Sequence, residues 1–291
     1  MFNSPLSRTI ANSRVLTDAE IRTRAPSVFA ESAHESRSER YLYVPTARII
    51  EGLRSEGFMP TFAAQGRSRV EGKEAFTKHL VRFRHATDIE REPSDLLGKL
   101  SPEVVLINSH DGTSSYRIIA GLFRLICLNG LVTGESFDEV RVPHSHKQRD
   151  AVIEGTYRVI DESRRALTHA QQMSQIVLDR GERQAFAEAV HALRFDGSEG
   201  QAQAIRPERL IEPVRQTDAK PDLWTTFNVA QERAVRGGVA GVRVAADGAP
   251  RRLVRTRPVN NIDGQTALNR ALWTLAERMA ALKGQPIAQA A

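Results

Sequence analysis

EVVLINSHDGTSSYRIIAGLFRLICLNGLV, residues Glu103 to Val132, decides how the chain is read. The apolar run Val104–Ile107 meets the polar cluster Asn108, Ser109, His110 and Asp111, and apolar residues resume after Tyr116. A continuous run of β-branched and leucine residues describes a strand covered on both faces. Asp111-Gly112 is a hairpin signal, because glycine tolerates the positive φ such turns demand. Tyr116–Gly121 is therefore expected to return antiparallel and to turn helical near Leu122. A helix over Tyr116–Cys127 is the competing reading, since Ile118, Ile119, Leu122 and Ile126 also fit an amphipathic face. Either way, four side chains able to ligate, hydrogen bond or move a proton gather at one tip.

Upstream, YLYVPT (Tyr41–Thr46) reads as a short strand, and Thr46 as the cap of a helix that buries Ile49, Ile50 and Leu53 and stops at Gly57. Gly66–Val70 and Leu80–Ala86 both alternate with period two. In the second, Val81, Phe83 and His85 share one face, and Arg82 and Arg84 the other. Arg67 and Arg69 alternate likewise. If these strands pair, four arginines share a sheet face and repel unless solvent or an anion lies between them. Residues 1–40 carry no sustained periodicity and read as a polar, loosely ordered arm. Val140–Val142 is a further short strand.

Beyond Lys147 the period becomes helical. Ala151–Leu178 carries an apolar stripe ended by Gly181, and Glu182–Phe195 buries Phe186, Val190 and Leu193. DGSEGQAQAI is a connector, and Pro207–Pro213 a short helical turn. Asp222 caps LWTTFNVAQERAV, and Thr266–Lys283 is a helix stopped by Gly284. The expectation is an α+β protein with a mixed or antiparallel N-terminal sheet and a mainly helical C-terminal half packed on it. One domain is expected over 41–284, sheet-rich over 41–142 and helical over 148–284, with a disordered tail at 285–291.

Composition narrows the function. Hydrophobic residues at 41% and charged residues at 26% are ordinary for a globular chain of 291 residues. No window approaches a membrane span and the N-terminus lacks a signal-like apolar core, so a cytoplasmic protein without membrane contact is expected. One cysteine, Cys127, excludes an internal disulfide and a cysteine-based zinc site, and Leu125, Ile126 and Leu128 around it make it a core thiol. The net charge is +6. From Arg233 to Arg257 there are seven arginines against the single acid Asp247, an excess equal to that of the whole chain. Arginine suits bidentate phosphate contacts, so nucleic acid is the expected partner.

Three kinds of site compete. Arg251, Arg252, Arg255 and Arg257 around Leu253 and Val254 form a basic strand able to track a phosphate backbone, extended by Arg67, Arg69, Arg82 and Arg84. His110 and Asp111 with His144 and His146 are a donor set for a divalent metal, though thirty-three residues separate His110 from His144. No G-x-S-x-G elbow accompanies Ser109, Ser114 or Ser115, and no phosphate-cradling glycine loop is present. Asn228, Gln231 and Glu232, at i, i+3 and i+4 of one helix, either read base edges or tie together a buried network.

Several blocks then combine. S-x-R-Y-x-Y-V-P-T (Ser38–Thr46), NSHDG (Asn108–Gly112), SYRIIAGLFRLICLNGL (Ser115–Leu131), DLWTTFNVAQE (Asp222–Glu232) with RGG (Arg236–Gly238), and LNRALWTLAERMA (Leu268–Ala280) together resemble the domain-of-unknown-function family 932, prophage- or plasmid-like proteins. The resemblance runs from about Ser38 to Lys283. It implies carriage on mobile elements, where proteins commonly handle single-stranded DNA, and by analogy a core similar to that of single-strand annealing proteins. The expected function is sequence-nonspecific binding of nucleic acid, single-stranded DNA foremost, without catalysis or cofactor; homo-oligomers are left open. The alternatives are a metal-dependent nuclease built on His110, Asp111, His144 and His146, and an anti-defence or replication accessory protein acting through protein contacts.

Overall fold

The structure, a computed structural model, describes residues 14–35, 43–68, 70–90, 100–124, 129–132, 139–142, 148–197, 204–243 and 252–284. These divide between Leu167 and Thr168 into two compact units. The architecture is α+β: an antiparallel sheet in the N-terminal half, with helices mostly C-terminal to it. Among the described residues, no helix is long and apolar enough to cross a membrane.

The first unit holds α1 (Asp18–Arg24), α2 (Thr46–Ser55), β1 (Phe58–Gln65), β2 (His79–His85), α3 (Ala86–Glu90), β3 (Leu100–Asn108), β4 (Tyr116–Arg124), β5 (Asn129–Val132), β6 (Glu139–Val142) and most of α4 (Gln148–Met173). The sheet order is β1-β2-β3-β4-β5, and β6 also pairs with β4. The hairpin expected at Asp111-Gly112 is present: Leu106 pairs with Ile118, and Gly112 has φ 78°. β4 does not turn helical near Leu122. Its far half, Gly121–Arg124, is held extended by β5, which short-range periodicity did not reveal. Cys127 lies outside the described residues.

Three further expectations change. No strand forms at Tyr43–Pro45, where the chain runs directly into α2 at Thr46, nor at Gly66–Ser68. The partner of β2 is β1, whose residues are apolar on both faces and so carry no period-two signal. Within the arm read over residues 1–40, the chain is ordered over residues 16–35. Thr17 and Glu20 cap each other's backbone to start α1, and Leu16, Ile21, Ala25 and Val28 are buried. Seven residues are too few for a helical period to show. Within the first unit, α4 lies on the sheet. A Cβ on Gly155 would come within 2.8 Å of Val140 Cγ1, and Ser163 Oγ donates to the Glu103 carbonyl at 2.7 Å.

The second unit holds α5 (Arg180–Phe195), α6 (Leu223–Arg236), the hairpin β7 (Ala240–Arg243) and β8 (Arg252–Arg255), and α7 (Ile262–Leu282). α4 ends at Met173, short of Leu178, and Gly181 lies inside α5 under an Asp179 capping box. Asp222 caps α6 as expected, accepting from Thr225 N at 2.7 Å. α7 starts ahead of Thr266 because Asn261 supplies its cap. Phe227 stands edge-on to Trp273, 5.6 Å between centroids, with Trp224 against both. Leu193, expected in the core, is exposed.

Candidate nucleic-acid interface

The polar tip of the β3–β4 hairpin is not an open site. Asn108, Ser109 and His110 are fully buried. Ser109 Oγ accepts from Ser114 N at 2.9 Å, and Asp111 Oδ1 accepts from Thr113 N and Oγ1 at 3.0 and 2.6 Å, so both satisfy the turn itself. Burial opposes ionisation of Asp111, but the Thr113 and Ser109 bonds, with Lys73 near, bring its carboxyl below the ordinary value. Asn108 goes elsewhere: its Nδ2 donates to Thr46 Oγ1 at 3.0 Å.

Thr46 is the hub of a buried centre. Its hydroxyl lies 2.9 Å from His79 Nε2, 3.1 Å from His110 Nε2 and 3.3 Å from Tyr116 Oη. Hydrogen bonding assigns the protons. The Thr77 carbonyl, 3.2 Å from His79 Nδ1, can only accept, so the His79 proton is on Nδ1, where Ser27 Oγ also lies at 3.0 Å. In the neutral ring Nε2 then accepts the Thr46 proton. Thr46 has two lone pairs left, for His110 Nε2–H and Asn108 Nδ2–H, while Tyr116 donates to the Val44 carbonyl at 3.0 Å. Burial holds His79 at a pKa of about 4, only partly opposed by the Thr77 carbonyl and the Asp111 charge. Nothing in the sequence pattern pointed to Ser27, Thr46, His79 or Tyr116 as neighbours of NSHDG.

This centre commits His110 Nε2 to Thr46, and its backbone to Phe76 and His34. His144 and His146, the other expected metal ligands, lie outside the described residues. Among the described residues no three His, Cys, Asp or Glu gather as a metal-holding group.

The arginine face of the sheet is also closed. Arg82 and Arg84 do share a face, but they are 6% and 3% exposed. Both turn onto Glu103 of β3, Arg84 Nε at 2.9 Å and Arg82 Nε at 3.4 Å, and the Arg82 guanidinium lies 4.3 Å from the centre of the Phe62 ring. The anion needed between them is a side chain of the same sheet, so they are not available as open phosphate contacts. Arg67 is exposed beyond the end of β1 and does not join them, and Arg69 lies outside the described residues.

The basic strand in the second unit behaves differently. β8 pairs with β7 so that Arg252 faces Arg243, Leu253 faces Val242 and Arg255 faces Ala240. Arg243, Arg252, Arg255 and Arg257 are all exposed, and among the described residues none forms a salt bridge with an acid. Leu253 is 83% exposed and its neighbour Val242 41%, an apolar pair on the face opposite Arg243 and Arg252. Arg251 lies outside the described residues.

Other polar side chains of this unit are consumed internally. Gln231 Nε2 donates to Asn269 Oδ1 at 2.8 Å, and Asn228 Nδ2 to the Trp224 carbonyl at 2.6 Å. Glu232 takes both Arg215, at 2.8 and 2.9 Å, and Arg236, at 2.8 Å. The Glu232 bonds hold the Arg215 guanidinium further above its ordinary pKa. Of the two roles open to Asn228, Gln231 and Glu232, the geometry is that of a buried network.

No solved structure matches this chain. Two proteins of Escherichia coli (strain K12), UPF0380 protein YafZ and UPF0380 protein YfjQ, are each 43% identical to it over 270 residues, which is 93% of this chain and 93% of theirs. The model of the family described as Domain of unknown function (DUF932) matches residues 33–273, a span holding the NSHDG turn, Thr46 with His79 and Tyr116, and the arginine hairpin. By that match and those relatives, the chain belongs to the DUF932 family.

Proposed function

We propose that the protein binds single-stranded nucleic acid without sequence preference, through the β7–β8 hairpin. One observation carries this: the hairpin exposes four arginines, without acidic partners among the described residues, together with the apolar pair Val242 and Leu253. Guanidinium groups bind phosphates, which carry no sequence information. Exposed apolar side chains on the same ribbon suit the faces of unstacked bases, which a duplex does not offer.

Titration of a fluorescent single-stranded oligonucleotide by anisotropy tests the proposal. If about four phosphates are contacted, log K falls against log salt with a slope of about −3. The double variant Arg252→Gln/Arg255→Gln flattens that slope and weakens binding at least tenfold. Binding insensitive to salt, or unchanged in the variant, rules the hairpin out.

A further inference from the structure

We infer that a pocket at the base of the β7–β8 hairpin receives the terminal phosphate of a strand, so that the protein prefers phosphorylated ends to internal phosphodiesters. This rests on the nucleic-acid reading above. The pocket measures about 180 Å³ and is lined by Arg243, Val254, Arg255, Thr256 and Arg257, with Ala204 and Ile205 as a wall. Sites for whole small molecules usually span about 300–1,000 Å³. This one suits a single charged group.

Its charge suits a terminal group. A phosphate monoester carries about −1.5 to −2 charges near neutral pH, with a second pKa of about 6. A backbone diester carries only one charge. Three arginines and no acid among the lining residues favour the more highly charged form.

The pocket is also built in advance. Val242 N donates to the Ala204 carbonyl at 2.9 Å, and that wall approaches so closely that a Cβ on Gly241 would lie 2.1 Å from Ala204 O. Gly237, at φ 69°, packs where a Cβ would lie 2.7 Å from the Arg257 carbonyl carbon. Arg194 bridges the same place, donating through Nε to the Ala234 carbonyl at 2.7 Å and through Nη2 to that of Arg257 at 2.6 Å. Arg255 is steadied by its bond to the Gly238 carbonyl at 3.1 Å. The backbone of one lining arginine and the side chain of another are thus fixed before any ligand arrives, which lowers the ordering cost of binding.

The experiment compares single-stranded oligonucleotides of one sequence with a 5′-phosphate, a 3′-phosphate or hydroxyl ends, together with a circular form, using full-length protein. Phosphorylated ends are expected to bind about tenfold more tightly than the hydroxyl-ended and circular forms, the effect of one stronger charge-assisted contact. Below about pH 6 that advantage shrinks as the monoester gains a proton, while binding of the circle does not follow it. Arg257→Gln abolishes the preference. Arg252→Gln, outside the pocket lining, weakens all four ligands alike. Equal affinity for all four overturns the terminal-phosphate assignment and leaves the nucleic-acid reading standing; no binding of any of them overturns both.

Discussion

Arg82 and Arg84 on β2, and Arg252 and Arg255 on β8, both mark short cationic antiparallel strands, yet the first pair is buried and the second is open to solvent. The difference lies in the neighbouring strand. β3 brings Glu103 beside Arg84, and the sheet is deep enough to bury the resulting cluster. β7 offers Arg243 and Ala240 instead, on a ribbon of only two strands. A run of arginines therefore says little about binding until the residues across the ladder are known.

The largest effect that would break the comparison is on Glu103. Glu103→Gln takes a carboxylate away from two buried guanidiniums, and a loss of about 3–5 kcal/mol in denaturant unfolding is expected. A loss under about 1 kcal/mol would mean that the two arginines reach water and belong with the hairpin set.

Acid sharpens the comparison next. His79 is held neutral at a pKa of about 4, below its ordinary 6.5. As pH falls, the unfolded chain takes the proton first. The stabilisation is therefore complete above about pH 6.5 and is lost progressively toward pH 4, by about 3 kcal/mol in all. Unfolding free energies measured across that range should show this loss, and His79→Gln should remove that component of the slope. The smallest effect is expected at the hairpin, where Arg252→Gln changes stability by no more than about 0.5 kcal/mol while weakening oligonucleotide binding. A larger loss of stability would show that this arginine, too, is structural.

Local chemistry made several elements legible before the fold was known. Asp111-Gly112, the Asp222 cap, the Gly284 stop and the β8 strand all rest on signals within a few residues, and each appears where expected. β1 and β5 were not legible. The first is apolar on both faces, and the second is held only by its pairing with β4. Ser109 and Asp111 of the NSHDG turn bond within the turn itself, which their residue types make legible. The centre behind it was not legible, because Ser27, Thr46, His79 and Tyr116 come from four separate segments that meet only when α2 packs across the ends of β2, β3 and β4.

By itself, then, the sequence determined the fold class, the family and the excess of arginine between residues 233 and 257, since composition, caps and turn residues act over short range. Only the tertiary structure decided which cations face water and that His79 is neutral. Those outcomes depend on strand register and on burial, and both are set by residues distant in the chain.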